Sequence, residues 1–161
     1  MTVRDVRAED VPSVVKLVHE LAEYERAADE CALTDEQLRA ALFGPSPALF
    51  GFVAELDGEV VGFALWFLNF STWRGTHGIY LEDLYVRPEH RGHGFGRLLL
   101  ARLARECVER GYSRLEWSVL DWNAPSIDFY EAAGAVPMDG WSVFRLTDDA
   151  LTDFAADRRT R

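Results

Sequence analysis

Hydrophobic positions along the chain switch between two periods. Residues 2–7, "TVRDVR", alternate and predict a strand. From Val11 the step lengthens. Val11, Val14, Val15, Val18, Leu21 and Ala22 form one helical stripe, with Pro12 in the first turn. "ADECA" reads as a loop. Thr34 and Gln37 have capping-box spacing and open a second helix to about Phe43, which "GPSP" breaks. "FGFVAEL" and "EVVGFALWFLNF" flank Asp57-Gly58 as a hairpin. "GIYLEDLYV" predicts a further strand, stopped by Pro88. A leucine-rich helix follows from about Gly94 to Arg110, ended by Gly111. "SRLEWSVL" predicts a strand and "NAPSIDFYEAAG" a capped helix ended by Gly134. "WSVFRL" predicts a last strand, and the tail a short helix or a frayed end.

The order is β-α-α-β-β-β-α-β-α-β, with an antiparallel run in the middle. This predicts an α/β (α+β) fold: one central mixed, largely antiparallel sheet flanked by helices. With 161 residues and no linker or repeat, a single domain over residues 1–161 is expected. The net charge of −10 argues against a nucleic-acid partner, whose phosphates demand a basic surface. It suits a cationic substrate, and it equally suits solubility alone. No apolar run has the length of a membrane span, and "MTVRDVRAED" does not resemble a signal peptide, so a cytoplasmic protein is expected. Cys31 and Cys107 fit no disulfide framework, and neither they nor the four histidines have metal-ligand spacing, so no metal is expected.

The candidate chemistry centres on "RGHGFGR", residues 91–97, set between a strand and a helix. A helix N-terminus carries unpaired N–H groups and attracts anions. Glycines allow close backbone approach and positive φ, and successive N–H groups make an anion nest. Arg91 and Arg97 add charge. A P-loop is excluded because Arg97 and Leu98 follow Gly96 where Lys and Ser/Thr are required. A dinucleotide fingerprint is excluded because Arg97 stands where its last glycine belongs. A pyrophosphate cradle of another kind remains.

Arg91-x-x-Gly94-x-Gly96 after a strand resembles the acetyl-CoA motif of the GNAT N-acetyltransferases. With "YLEDLYV" before it and "WNAPSIDFYEAAGA" after it, the resemblance spans the chain. "LAEYE" and "GW" direct it to the branch of spermidine/spermine and thialysine acetyltransferases. The resemblance implies that the backbone of Arg91, Gly92, His93, Gly94, Phe95, Gly96 and Arg97 holds the pyrophosphate of acetyl-CoA. It implies that Leu84, Tyr85 and Val86 pair with the pantetheine arm, and that Asn123, Ala124, Pro125 and Ser126 contact the cofactor. Asn123 also reads independently as a helix N-cap. A homodimer is implied as well.

Acetyl transfer needs a neutral amine, and at a pKa of about 10.4 only roughly one lysine-like molecule in 2,500 is neutral at pH 7. Glu82 and Asp83 are the carboxylates of the central strand, and simple alternation puts them on opposite faces. The resemblance makes Glu82 the catalytic one. An ordinary glutamate is about six pKa units too acidic to take the proton outright, a cost near 8 kcal/mol, so relay through water is expected. An ion pair with an arginine is the structural alternative. Tyr130 matches the tyrosine that serves the departing thiolate, a transfer uphill by only about 2 kcal/mol. Direct attack in a ternary complex follows, since neither cysteine lies in a motif for a covalent intermediate. Tyr24, Glu25 and Asp139, with Glu82, are implied to bind the amine, with cation–π help from Tyr24. The acceptor implied is a primary amine of a small lysine-like or diamine/polyamine substrate; Ser71 stands where polyamine-acetylating members tend to carry an aspartate, a departure that favours the lysine-like kind. A protein, peptide or aminoglycoside acceptor remains open, as does an acyl-CoA-binding module without turnover.

Overall fold

The computed structural model describes residues 1–156. The chain divides into two compact units, Met1–Leu120 and Asp121–Arg161.

The first unit carries the sheet. β1 (Thr2–Asp5) leads through a short turn into α1 (Val11–Tyr24) and α2 (Asp35–Phe43). β2 (Phe50–Leu56), β3 (Glu59–Ser71) and β4 (Thr76–Val86) follow, then α3 (Phe95–Arg110) and β5 (Leu115–Glu116). The strand order is β1-β2-β3-β4-β5, antiparallel throughout except for the parallel β4–β5 pair. The expected mixed, largely antiparallel sheet is therefore present. Thr34 caps α2 reciprocally with Gln37, and part of the expected "ADECA" loop is a single 3-10 turn, Ala28–Glu30.

Side-chain alternation sorts the strands into two faces. Val53, Phe63, Leu65 and Tyr85 pack with Val11, Val14, Leu17 and Leu21 of α1 and Leu38 and Leu42 of α2. Phe52 and Trp66, one position out of step, lie under Arg102 and Arg110 of α3 at 4.4 and 5.7 Å. Full burial of each such side chain contributes about 1.5–3 kcal/mol, so these two layers dominate stability. Arg4 joins three elements at the rim. It binds both oxygens of Asp10 at 2.7 and 2.9 Å and Glu55 at 2.7 Å. Burial works against the Asp10 charge, but the bonds from Arg4 and the Arg7 backbone outweigh it and hold the carboxyl below its ordinary range.

Two expected strands differ. "SRLEWSVL" pairs only at Ile79↔Leu115 and Tyr80↔Glu116, because β4 departs from regular geometry just beyond. "WSVFRL", residues 141–146, is not a strand: among the described residues nothing pairs with it. Its alternation and β-branched content favour extension, but a strand exists only where a neighbour completes its ladder. In the second unit α4 (Ala124–Ala132) and α5 (Asp148–Ala155) form as expected, the latter as the short tail helix.

Gly62 faces the crowded end of the β3–β4 ladder. A Cβ there would lie 2.8 Å from the Tyr85 carbonyl oxygen and 3.0 Å from a Val86 methyl. Gly62→Ala is expected to lose about 1–3 kcal/mol of stability, since β4 must shift to relieve the contact. Urea unfolding measures this, and an unchanged midpoint would contradict the packing described.

Candidate active site

The glycine segment begins where β4 ends. Gly92 and Gly94 have φ of +78° and +88°, angles that a side chain strains against, and open space lies where their Cβ atoms would be. Gly94 is also the N-cap of α3, and it makes no side-chain cap. The first helical bond runs from Leu98 N–H to the Gly94 carbonyl at 3.0 Å. The N–H groups of Phe95, Gly96 and Arg97 are thus first-turn donors, the set that an anion satisfies. Gly96 lies inside the helix and needs no special angle. His93 Nδ1 sits 3.1 Å from the Arg91 carbonyl, keeping the loop tight. The cradle fits a pyrophosphate: it is open, backbone-lined and stands at the N-terminus of a 16-residue helix.

β4 supplies the second component. Leu84, Tyr85 and Val86 pair with Ala64, Phe63 and Gly62 on one side. On the other side the β5 ladder ends at Tyr80. Among the described residues no strand continues it, so this stretch offers a backbone edge to an extended arm.

A β-bulge sets off that change. Leu65 pairs with Asp83 and Trp66 with Leu81, leaving Glu82 as the extra residue. Directly paired residues share a face. Asp83 therefore joins Leu65 on the α1 face, while Leu81 joins Trp66 on the α3 face. The period-two alternation along β4 breaks here, because the bulge inserts Glu82 into the count and sends Leu81 and Asp83 to different layers.

The consequence is electrostatic. Burial, then the neighbouring charges of Glu82 and Glu25, push the Asp83 carboxyl up to about 7. Burial also raises Glu25. Glu25 is held by the way α1 ends. Arg26 adopts φ +62°, and Ala27 N–H reaches back to the Ala22 carbonyl at 2.8 Å. Tyr24 and Glu25 of α1 and Glu82 and Asp83 of β4 thus belong to one acidic, partly aromatic region. Asp83 is the functional candidate that sequence reasoning passed over. The strand pattern gave it no mark over Glu82, and only the bulge register assigns its face.

Other predicted residues have local roles. Ser71 is buried, and its Oγ accepts from Arg74 N–H at 3.2 Å, closing the β3–β4 turn. In the second unit Asn123 Oδ1 accepts from Ser126 N–H at 3.4 Å, the expected N-cap, with Ala124 and Pro125 opening the helix. Tyr130 lies in the last turns of α4, and its carbonyl accepts from Ala133 and Ala135. Asp139 precedes Gly140, whose φ of +89° forms a turn.

An anion cradle at a helix start thus stands in one unit with an open strand edge and a set of carboxylates. Residues 15–135 match the Acetyltransferase (GNAT) family. The chain belongs to this family and is an acetyltransferase enzyme. It is 38% identical over 164 aligned residues to thialysine N-epsilon-acetyltransferase of Bos taurus, covering 95% of this chain and 96% of that one. It is 32% identical to L-ornithine N5-acetyltransferase NATA1 of Arabidopsis thaliana, covering 88% and 82%. An integron cassette protein from the mobile metagenome of V. cholerae has the same fold, with a TM-score of 0.80 at 23% identity over 96% of both chains.

The raised Asp83 pKa links stability to pH. A folded-state value of about 7 against 3.8 for the free group means that full stability is present below the lower value. It is lost progressively as pH rises toward the upper one, because the unfolded chain ionises first. Asp83→Asn is expected to leave stability near pH 4 unchanged and to raise it at pH 8, by at most about 4 kcal/mol. Urea midpoints across this range test it, and equal midpoints for both proteins at pH 8 would remove the assignment.

Proposed function

We propose that the protein transfers the acetyl group of acetyl-CoA to a primary amine of a small lysine-like or diamine substrate, by direct attack within a ternary complex. The observation that carries this reading is the bulge at Glu82. It sets Asp83, next to Glu82, within electrostatic reach of Glu25, and the β5 ladder ends just before the stretch that would accept the pantetheine arm. The names of the thialysine and ornithine relatives support an amino-acid-like amine as acceptor.

Acetyl-CoA would supply an acetyl thioester. Backbone N–H groups of residues 92–97 would hold its pyrophosphate, and Leu84, Tyr85 and Val86 its extended arm, with Asn123 and Ser126 contributing from the start of α4. Glu25, Glu82 and Asp139 would hold the ammonium charges, with the Tyr24 ring adding a cation–π face. Glu82 would pass the departing proton through water. Asp83 eases that task. A carboxylate near 7 leaves a gap of about 3 pKa units to a lysine-like amine, near 5 kcal/mol, against about 8 kcal/mol for an ordinary glutamate. Tyr130 would donate to the departing sulfur, where the mismatch is small.

The test is an amine panel of thialysine, lysine, ornithine, diamines, spermidine, an aminoglycoside and a peptide, read by coenzyme A release and product mass. Lysine-like amines are expected to give the highest kcat/KM. Glu82→Gln and Tyr130→Phe are each expected to lower kcat by about 100-fold or more. Turnover equal to wild type in both variants would sink the catalytic assignment. A peptide or aminoglycoside preferred over every small amine would move the reading to that acceptor.

A further inference from the structure

The connection from β4 to α3 is fastened to α1 at two points, each through an arginine. Arg87 donates from Nε to Glu20 at 3.3 Å and from Nη1 to Glu59 at 2.5 Å, while its N–H bonds the Val61 carbonyl at 3.0 Å. Arg91, the first residue of the cradle, donates from Nε to the Val86 carbonyl at 2.8 Å. Its guanidinium carbon lies 4.9 Å from the Tyr24 ring centre and 5.4 Å from that of Tyr85. Arg87 and Arg91 are four residues apart, and so are Glu20 and Tyr24 on α1, a spacing that puts the latter two on one helical face. Burial, then the Glu20 charge, raises the Tyr85 phenol. The two pairs form a matched latch between the α1 end and the cradle.

The inner point of the latch, Arg87 with Glu20, is largely buried and paired by charge. The outer point is different. Arg91 is exposed, its ring contacts are planar and directional, and it leads straight into the two positive-φ glycines. Beyond Tyr24 the helix ends at Glu25 and the left-handed Arg26. Whatever orders residues 91–94 therefore bears, through the Arg91 side chain, on the position of Tyr24 and, next to it, Glu25.

We propose that Arg91 is a positioning residue that couples the two substrate sites, so that ligand binding in the cradle orders the α1 end and strengthens amine binding there. This rests on the acetyltransferase reading above. It gives Arg91 a role through Tyr24, apart from the positive charge it brings to the cradle. Ordering is spent once: a loop and helix end already fixed by the first ligand cost the second ligand less.

The test pairs two measurements. Coenzyme A alone is added while backbone hydrogen exchange is followed over residues 22–27, and amine and acetyl-CoA are co-varied in steady-state kinetics. In the wild type coenzyme A is expected to slow exchange at the α1 end by about fivefold to tenfold. Arg91→Lys keeps the charge and loses the planar stack, so it should bind coenzyme A without that slowing. Its amine KM should rise by about the same factor, and by more than its KM for acetyl-CoA. Tyr24→Leu should reproduce the loss, Tyr24→Phe should retain the coupling, and adding Arg91→Lys to Tyr24→Leu should cost nothing more. No slowing in the wild type, slowing retained in Arg91→Lys, or an effect of Arg91→Lys confined to the KM for acetyl-CoA would each overturn the proposal. Should the wild type show the α1 response yet acetylate no amine, the latch stands and the proposed function falls.

Discussion

One unpaired residue in β4 governs the rest of the site. At Glu82 two residues of β3 face three of β4, and the surplus cannot be absorbed without re-aiming the side chains around it. Leu81 goes to the α3 layer and Asp83 to the α1 layer. The ladder to β5 ends two residues earlier. A regular strand would have continued the sheet and would have kept Leu81, Asp83 and Tyr85 on one face. The bulge exchanges regular pairing for an open backbone edge and a cluster of carboxylates.

The elements around the bulge hold it in place. Phe63 and Tyr85, paired across β3 and β4, sit in the core beneath α1, while Gly62 lets the two backbones close at the end of the ladder. α1 then delivers Glu25 to the same side, because its last turn closes through the left-handed Arg26. The carboxylates oppose one another electrostatically. Burial and mutual repulsion raise Asp83, and this is tolerable because the opposing cost is outweighed by two packed apolar layers. A cationic substrate would relieve it, which is consistent with the acidic balance of the chain.

Much of this was legible along the chain. The 3.6-residue stripe of α1, the Thr34–Gln37 cap, the Asp57-Gly58 hairpin and the Gly111 stop all rest on local rules that need no distant partner, and each appears in the structure. The turn before α3 was legible for the same reason: glycines ahead of a leucine-rich helix declare both the turn and the helix start. "WSVFRL" was misread because a strand is a relation between segments, and its own sequence carries only half of that relation. Asp83 was passed over because period-two counting assumes an unbroken register.

The sequence by itself determined the class of fold and the glycine turn before α3, since these depend on periodicity, caps and glycine geometry that operate within a few residues, while the family followed from the resemblance of its motifs. Tertiary structure alone decided which carboxylates share a face, where β5 stops and what Arg91 touches. Those are matters of register between strands and of contact between α1 and the β4–α3 connection. Register responds to every residue that packs on either face, and no local pattern encodes a single surplus position at Glu82.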